Sequence, residues 1–177
     1  NIVVPSQLFD FTHLRKRSFF EDGMVVHVSV ADPFCPTLSI KLHQSLSAVD
    51  ATAHKGGAMI TIEGPRFSTK IESNTYRSWG LSLIGMTTSP EAFLAREAEI
   101  CYAVMAHVTD YDVWHISEES VNVDLVVKTL QNNTELAQQT IMHLVSQIEE
   151  HKDCSCNHAL ENAFITNRKY INASTAK

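Results

Sequence analysis

The sequence predicts an α/β fold, with a largely parallel central sheet and helices on its faces. Between residues 58 and 108, short apolar runs alternate with capped helical segments in the order β-α-β-α-β, joined by short links. The 177 residues are 44% hydrophobic, enough for one domain with a real core. Five prolines and six glycines are scattered along the chain, which excludes a fibrous or low-complexity class. Residues 1–150 read as a single α/β domain and residues 151–177 as a polar tail with room for a short helix.

Asn1-Ile2-Val3-Val4-Pro5 is a strand-like run with no initiator Met or polar lead-in, so a further segment is expected to precede it. Residues 6–23 mix polar and aromatic side chains and close at Asp22-Gly23, a turn signal. Met24 to Val30 reads as a strand ended by Asp32-Pro33, and Leu38, Leu42, Leu46 and Val49 give residues 36–50 a helical period. Ala58 to Glu63 is β-rich and is broken by Gly64-Pro65. Ser68 or Thr69 can cap the next helix, with Glu72 completing a capping box from Thr69 and Gly80 ending the segment. Leu81 to Met86 is the next apolar strand. Thr88 or Ser89 caps again, Pro90 suits a first turn, and Glu91 sits three residues after Thr88.

The third run, Cys101 to Val108, has the pattern of a strand covered on both faces and stops at Asp110 and Asp112. In an extended chain that spacing places both carboxylates on one side. After a linker through Ser120, with Asn122 as a plausible cap, apolar residues from Val123 to Ile148 recur at threes and fours over a long amphipathic helix. Beyond Glu149, Ala159, Leu160, Ala163, Phe164 and Ile165 could form a short packing helix.

Net charge is −6 and the longest basic run is Arg15-Lys16-Arg17, which argues against nucleic acid or an anionic membrane as a main partner. No apolar run approaches the length of a membrane span, and no basic-then-apolar leader opens the chain; the expectation is a soluble, cytoplasmic protein. Cys35 and Cys101 lie in apolar contexts and read as small hydrophobes. Cys154-Ser155-Cys156 is a lone CxC in the polar tail. A zinc site normally takes four ligands, and only His151 and His158 lie nearby, so the pair reads as exposed or redox-labile and no metal is expected.

In open α/β sheets ligands bind beyond the carboxyl ends of the strands. The predicted strands deliver Glu63 with Gly64 to Ser68, then Gly85-Met86-Thr87, then Asp110 and Asp112. Amides at a helix N-terminus, with Thr87 and Thr88, form an anion seat that Glu91 opposes. Phe67 and Met86 can sandwich a flat ring and a sugar, or can be plain core. The two acids suit a heteroaromatic ring with an amino group. One accepts from the amine while the other, if protonated, donates to a ring nitrogen; two close acids in a covered site cannot both ionise cheaply, so one pKa should rise. The alternative is a polar turn in which both acids cap local backbone groups.

Thr61-Ile62-Glu63-Gly64-Pro65-Arg66-Phe67-Ser68, Gly85-Met86-Thr87-Thr88-Ser89-Pro90-Glu91, Ala106-His107-Val108-Thr109-Asp110-Tyr111-Asp112 and Ala31-Asp32-Pro33-Phe34-Cys35 closely resemble segments of the methylthioadenosine phosphorylases of the trimeric purine nucleoside phosphorylase family, in order and at natural spacing. The resemblance runs from residue 1 to about residue 150 and corresponds to the C-terminal three-fifths of a family member. It implies a nucleoside phosphorylase-like mixed sheet and cleavage of 5′-methylthioadenosine by phosphate to adenine and 5-methylthioribose 1-phosphate, without metal or organic cofactor. It further implies Phe67 and Ser68 beside the base, Met86 under the ribose, Thr87 on phosphate, Asp110 as the acid at purine N7 and Asp112 near the exocyclic amine. By the same resemblance Val123 and Val126 would line the 5′-methylthio pocket, and His27 corresponds to a residue lent by a neighbouring subunit in a trimeric or hexameric homo-oligomer. The 6-oxopurine branch carries Asn where this chain has Asp110, so adenine is favoured. The Gly-rich loop and basic segment that hold phosphate in the family have no counterpart among Gly23, Gly56, Gly57, Gly64, Gly80 and Gly85. Two alternatives follow: a purine nucleoside phosphorylase of broader specificity, and a non-catalytic nucleoside-binding portion.

Overall fold

A computed structural model describes the chain except residues 21–22, 116–122, 150–153, 173–174 and 176–177, and the side chains of residues 125, 126 and 132. The described strands form two three-stranded sheets. In the first, β1 (Ile2–Val4) lies between β3 (Ala53–Lys55), parallel to it, and β6 (Ala106–His107), antiparallel. In the second, β4 (Ala58–Ile62) is the centre, parallel both to β2 (Gln7–Phe11) and to β5 (Leu81–Gly85). Pairing is thus mostly parallel with one antiparallel edge, the mixed α/β architecture expected.

Helix α1 (Pro36–Ala48) begins where Cys35 Sγ accepts the Leu38 N–H, with Pro36 in the first turn. It buries Leu42 and Leu46 against Ile2 and Val4, and the half-buried Leu136 and Leu144 close this core from the long helix α4 (Val123–Gln147). The periodicity of α4 is correct, yet Val123, Leu130, Ile141 and Val145 remain exposed. Asn122, the expected cap, lies outside the described residues. Helix α2 (Lys70–Ser78) has the predicted capping box: the Glu72 N–H donates to Thr69 Oγ1, and Glu72 Oε2 accepts from the Thr69 N–H at 2.7 Å. Its buried face, Ser73 and Tyr76, lies over β4 and β5.

Four local expectations are corrected. Gln7–Phe11 is a full strand with five register pairs to β4, although its most apolar side chains, Phe9 and Phe11, point to the exposed face. Met24 to Val30 alternates in burial as a strand should, but finds only a single bridge, Val26 to Phe164 in the tail. The run Cys101 to Val108 is half-buried throughout and contributes only Ala106–His107, paired to β1 rather than to β5. Helix α3 (Thr88–Glu97) lacks the second capping box. The Thr88 hydroxyl is buried and donates toward Met59 Sδ, the Ser89 N–H donates to Thr61 Oγ1, and Ser89 is extended (φ −99°, ψ 134°). Glu91 accepts instead from the Tyr102 hydroxyl at 2.7 Å.

In the tail, Cys154 and Cys156 flank Ser155 in a 3-10 turn (Ser155–His158), and the residues up to Phe164 are turns closed by the bridge to Val26. Both cysteines are buried, so the exposed pair read from the sequence is corrected. Among the described residues, no helix is long and apolar enough to cross a membrane.

Candidate active site

The segments that follow β4, β5 and β6 carry the candidate residues. Beyond β4, Gly64 (φ +68°) reverses the chain, and a Cβ there would stand 2.9 Å from Met86 Sδ. The loop after β4 therefore lies against Met86, the residue that follows β5. Met86 also packs on the core of Ile60, Ile62 and Tyr76, which fixes its thioether from below. Phe67 stays 41% exposed, while Ser68 is buried and its Oγ has no hydrogen-bond partner among the described residues. Thr87 is exposed at the start of α3 and makes no capping bond through its side chain. Thr88 and the Ser89 amide are spent on Met59 and Thr61, so the anion seat expected from several amides and two hydroxyls is narrower than the sequence suggested.

The two acids do not sit on an extended strand. Asp110 and Asp112 belong to a turn in which the Asp112 N–H donates to Asp110 Oδ1 at 2.8 Å and Asp112 has left-handed backbone (φ +61°). Thr109 Oγ1 donates to Asp110 Oδ2 at 2.6 Å. Asp112 accepts from Ser73 Oγ on α2 at 2.6 Å and from the Val113 N–H at 2.8 Å. The Arg77 guanidinium, one turn along α2, lies 3.6 Å from the centre of the Trp114 ring. The acidic turn is thereby clipped to α2 at two points, and Ser73, which the sequence reading passed over, is the residue that orients Asp112. Among the described residues, each Asp112 carboxylate oxygen accepts one hydrogen bond.

Glu63 is structural. It accepts from the backbone N–H groups of His13 and Leu14 and from Arg15 Nε. Arg15 also donates to the carbonyls of Ile62, Glu63 and Ser89, joining the end of β4 to the start of α3. The His13 and Leu14 amides, reinforced by Arg15, hold the Glu63 carboxyl at about 2, well below the ordinary 4.5. The bidentate bond from Arg66, reinforced by the Thr69 amide, holds Glu72 at about 2 as well. Both folded-state values are depressed, so their contribution to stability is complete above about 4.5 and is lost as pH falls toward about 2. The urea midpoint of the protein should fall through that window, and Glu72→Gln should flatten the fall. A variant as acid-sensitive as the parent would remove Glu72 from this role.

His27 is exposed and lines an open groove of about 390 Å³ whose walls include none of the other candidate residues. Val123 is exposed on the first turn of α4, and the Val126 side chain lies outside the described residues.

With this geometry in place, the comparisons with known proteins are direct. The model of the phosphorylase superfamily matches residues 1–146. The S-methyl-5′-thioadenosine phosphorylase of Geobacter sulfurreducens is 47% identical over 176 residues, covering 99% of this chain and 62% of the relative. The same enzyme of Chloroflexus aurantiacus is 48% identical over 173 residues, covering 97% and 60%. A solved methylthioadenosine phosphorylase from an Antarctic soil metagenomic library superposes with a TM-score of 0.92 at 41% identity, covering 99% of this chain and 62% of that one. The Schistosoma mansoni methylthioadenosine phosphorylase solved with adenine gives 0.86 at 29% identity, covering 93% and 66%. The chain thus spans about three-fifths of the length of the bacterial relatives it matches. On the match through residue 146 and the fold it describes, this chain belongs to the phosphorylase superfamily.

Proposed function

We propose that the protein cleaves 5′-methylthioadenosine with inorganic phosphate, releasing adenine and 5-methylthioribose 1-phosphate, a step of methionine salvage in the cytoplasm. The observation that carries this reading is the turn at Asp110 and Asp112, held by Thr109 and Ser73, in a chain 47% identical to an enzyme of that name.

The residues divide the work by chemistry. The Phe67 ring covers a face of the base, and the unpartnered Ser68 hydroxyl meets its polar edge. Asp112 accepts from the exocyclic amine, which selects an amino-purine over an oxo-purine. Met86 supports the ribose, Val123 and Val126 take the methylthio group, and the exposed Thr87 hydroxyl contacts phosphate. As the C1′–N9 bond breaks, its electron pair passes to the purine and the sugar becomes cationic. Asp110 gives a proton to N7, which neutralises the departing base, and a phosphate oxygen bonds to C1′ from the opposite face. In a homotrimer, a neighbour's His27 completes the methylthio pocket. No organic cofactor takes part in these steps.

The test is phosphorolysis by the full chain of methylthioadenosine against inosine. Preferential cleavage of methylthioadenosine is expected. Preference for inosine would leave the broader purine nucleoside phosphorylase, and calorimetric binding unaffected by phosphate, without turnover, would leave a nucleoside-binding protein. A second expectation concerns Ser73→Ala, which removes a hydroxyl bond to a carboxylate at 2.6 Å. KM for methylthioadenosine should rise about tenfold with kcat little changed, because Asp112 binds the base without entering the bond-breaking step. A fall in kcat alone would place Ser73 and Asp112 elsewhere in the mechanism.

A further inference from the structure

Four sulfurs meet where the tail crosses the body of the fold. Cys35 caps α1, Cys101 follows α3, and Cys154 and Cys156 flank Ser155 in the tail. These are all the cysteines of the sequence, and they come together from distant points, Cys35 and Cys154 being 119 positions apart. Their Sγ atoms all lie within 4.8 Å of one another; Cys101 and Cys154 are 3.4 Å apart, and Cys35 and Cys154 are 3.6 Å apart. Those separations are far longer than a disulfide bond of about 2.0 Å. They are close to the edge of a tetrahedron of thiolates around zinc, roughly 3.8 Å for Zn–S bonds of about 2.3 Å.

Several hydrogen-bond donors reach the sulfurs. The Leu38 N–H donates to Cys35 Sγ at 3.4 Å, and the Cys156 N–H donates to Cys154. Arg96, on the last turn of α3, directs Nη1 to Cys156 Sγ at 3.7 Å while Nη2 holds the Asp32 carbonyl. Four thiolates around a divalent ion carry an excess of two negative charges, and amide donors with one guanidinium offset that excess. Four thiols packed only as apolar groups carry no charge for an arginine to meet. An all-sulfur tetrahedral set favours zinc over the hard cations that carboxylates select.

We propose that Cys35, Cys101, Cys154 and Cys156 form a tetrathiolate site for one zinc ion, which fastens the tail to α1 and to the segment after α3. The site takes no part in the reaction proposed above, but it anchors the tail against the segment that carries His27. Beyond Cys156, the tail accepts the His27 N–H at the Ala163 carbonyl at 2.8 Å and bridges Val26. The ion would therefore hold the segment that presents His27.

The experiment is metal analysis of the full chain purified without chelator, followed by reloading of the metal-free protein. About one zinc per chain is expected, released when a mercurial titrates four thiols. The Cys154→Ser/Cys156→Ser double variant should lose the metal. Because that variant could fail to fold, cobalt is added to the unaltered metal-free protein. It should give the visible bands of tetrahedral cobalt with sulfur-to-metal charge transfer, and zinc should raise Tm. A folded protein with four free thiols that takes up neither metal would overturn the proposal, as would two disulfides found by mass spectrometry or a cobalt spectrum without thiolate bands.

Discussion

An Asp110→Asn variant is expected to lose about 10²–10⁴ in kcat on methylthioadenosine while KM changes little. The amide keeps the shape of the carboxyl: its oxygen can still accept from the Asp112 N–H, and its NH2 can donate to the Thr109 hydroxyl oxygen in place of the bond Asp110 accepts there, so the turn is kept. What it lacks is an acidic proton to deliver to N7 as the glycosidic bond lengthens. The loss should therefore fall on the step in which charge develops and not on binding. The same change should shift relative activity toward 6-oxopurine nucleosides, because a side-chain amide can donate to N7 without requiring a protonated acid. Steady-state kinetics on methylthioadenosine and inosine reads both effects. Unchanged kcat would exclude Asp110 as the acid.

The largest loss of stability is expected from Ile60→Ala. Ile60 is fully buried at the centre of β4 and packs with Ile62, Tyr76, Leu81, Ile84 and Met86. Deleting three carbons there should cost about 2–5 kcal/mol, lowering Tm by roughly 5–20 °C for a chain of this size. The cavity would open beneath Tyr76, on the helix whose Ser73 orients Asp112, and beneath Met86. A rise in KM should accompany the fall in Tm even well below the melting temperature. Differential scanning calorimetry with kinetics checks this. A drop of only a degree or two would mean that the β4 core collapses around the smaller side chain.

The parts of the fold legible in the sequence are those where local signals agree. Around β4, α2 and β5, β-rich runs, a Thr69–Glu72 capping box and Gly80 all specify the same boundaries, and each is found in the fold. Where pairing decides, the local pattern misleads. Met24 to Val30 alternates as well as any strand, yet it meets only a short stretch of the tail, around one bridge from Val26 to Phe164, among the described residues. Gln7–Phe11 looks irregular because its aromatic rings gather on one outer face with Tyr76 and Trp79, while Asp10 points inward to bond Thr12. The acidic turn was legible in identity, and its shape is the one the alternative reading gave, a polar turn whose acids accept from local backbone N–H groups. The i, i+2 spacing suggested an extended strand, whereas the bond from the Asp112 N–H to Asp110 and the positive φ at Asp112 make it a turn. Ser73 and the cysteine cluster were hidden for another reason. Ser73 lies 39 positions from Asp112 and Cys35 lies 119 from Cys154, and no periodicity encodes such separations.

The central claim is that Asp110 and Asp112 hold an amino-purine between them. A crystal structure of the full chain with methylthioadenosine and phosphate tests it most directly. The account predicts Asp110 within hydrogen-bond distance of N7, Asp112 accepting from the exocyclic amine while still bonded to Ser73, and phosphate on the far side of the ribose near Thr87. Both carboxylates facing solvent, with the purine bound elsewhere, would contradict it.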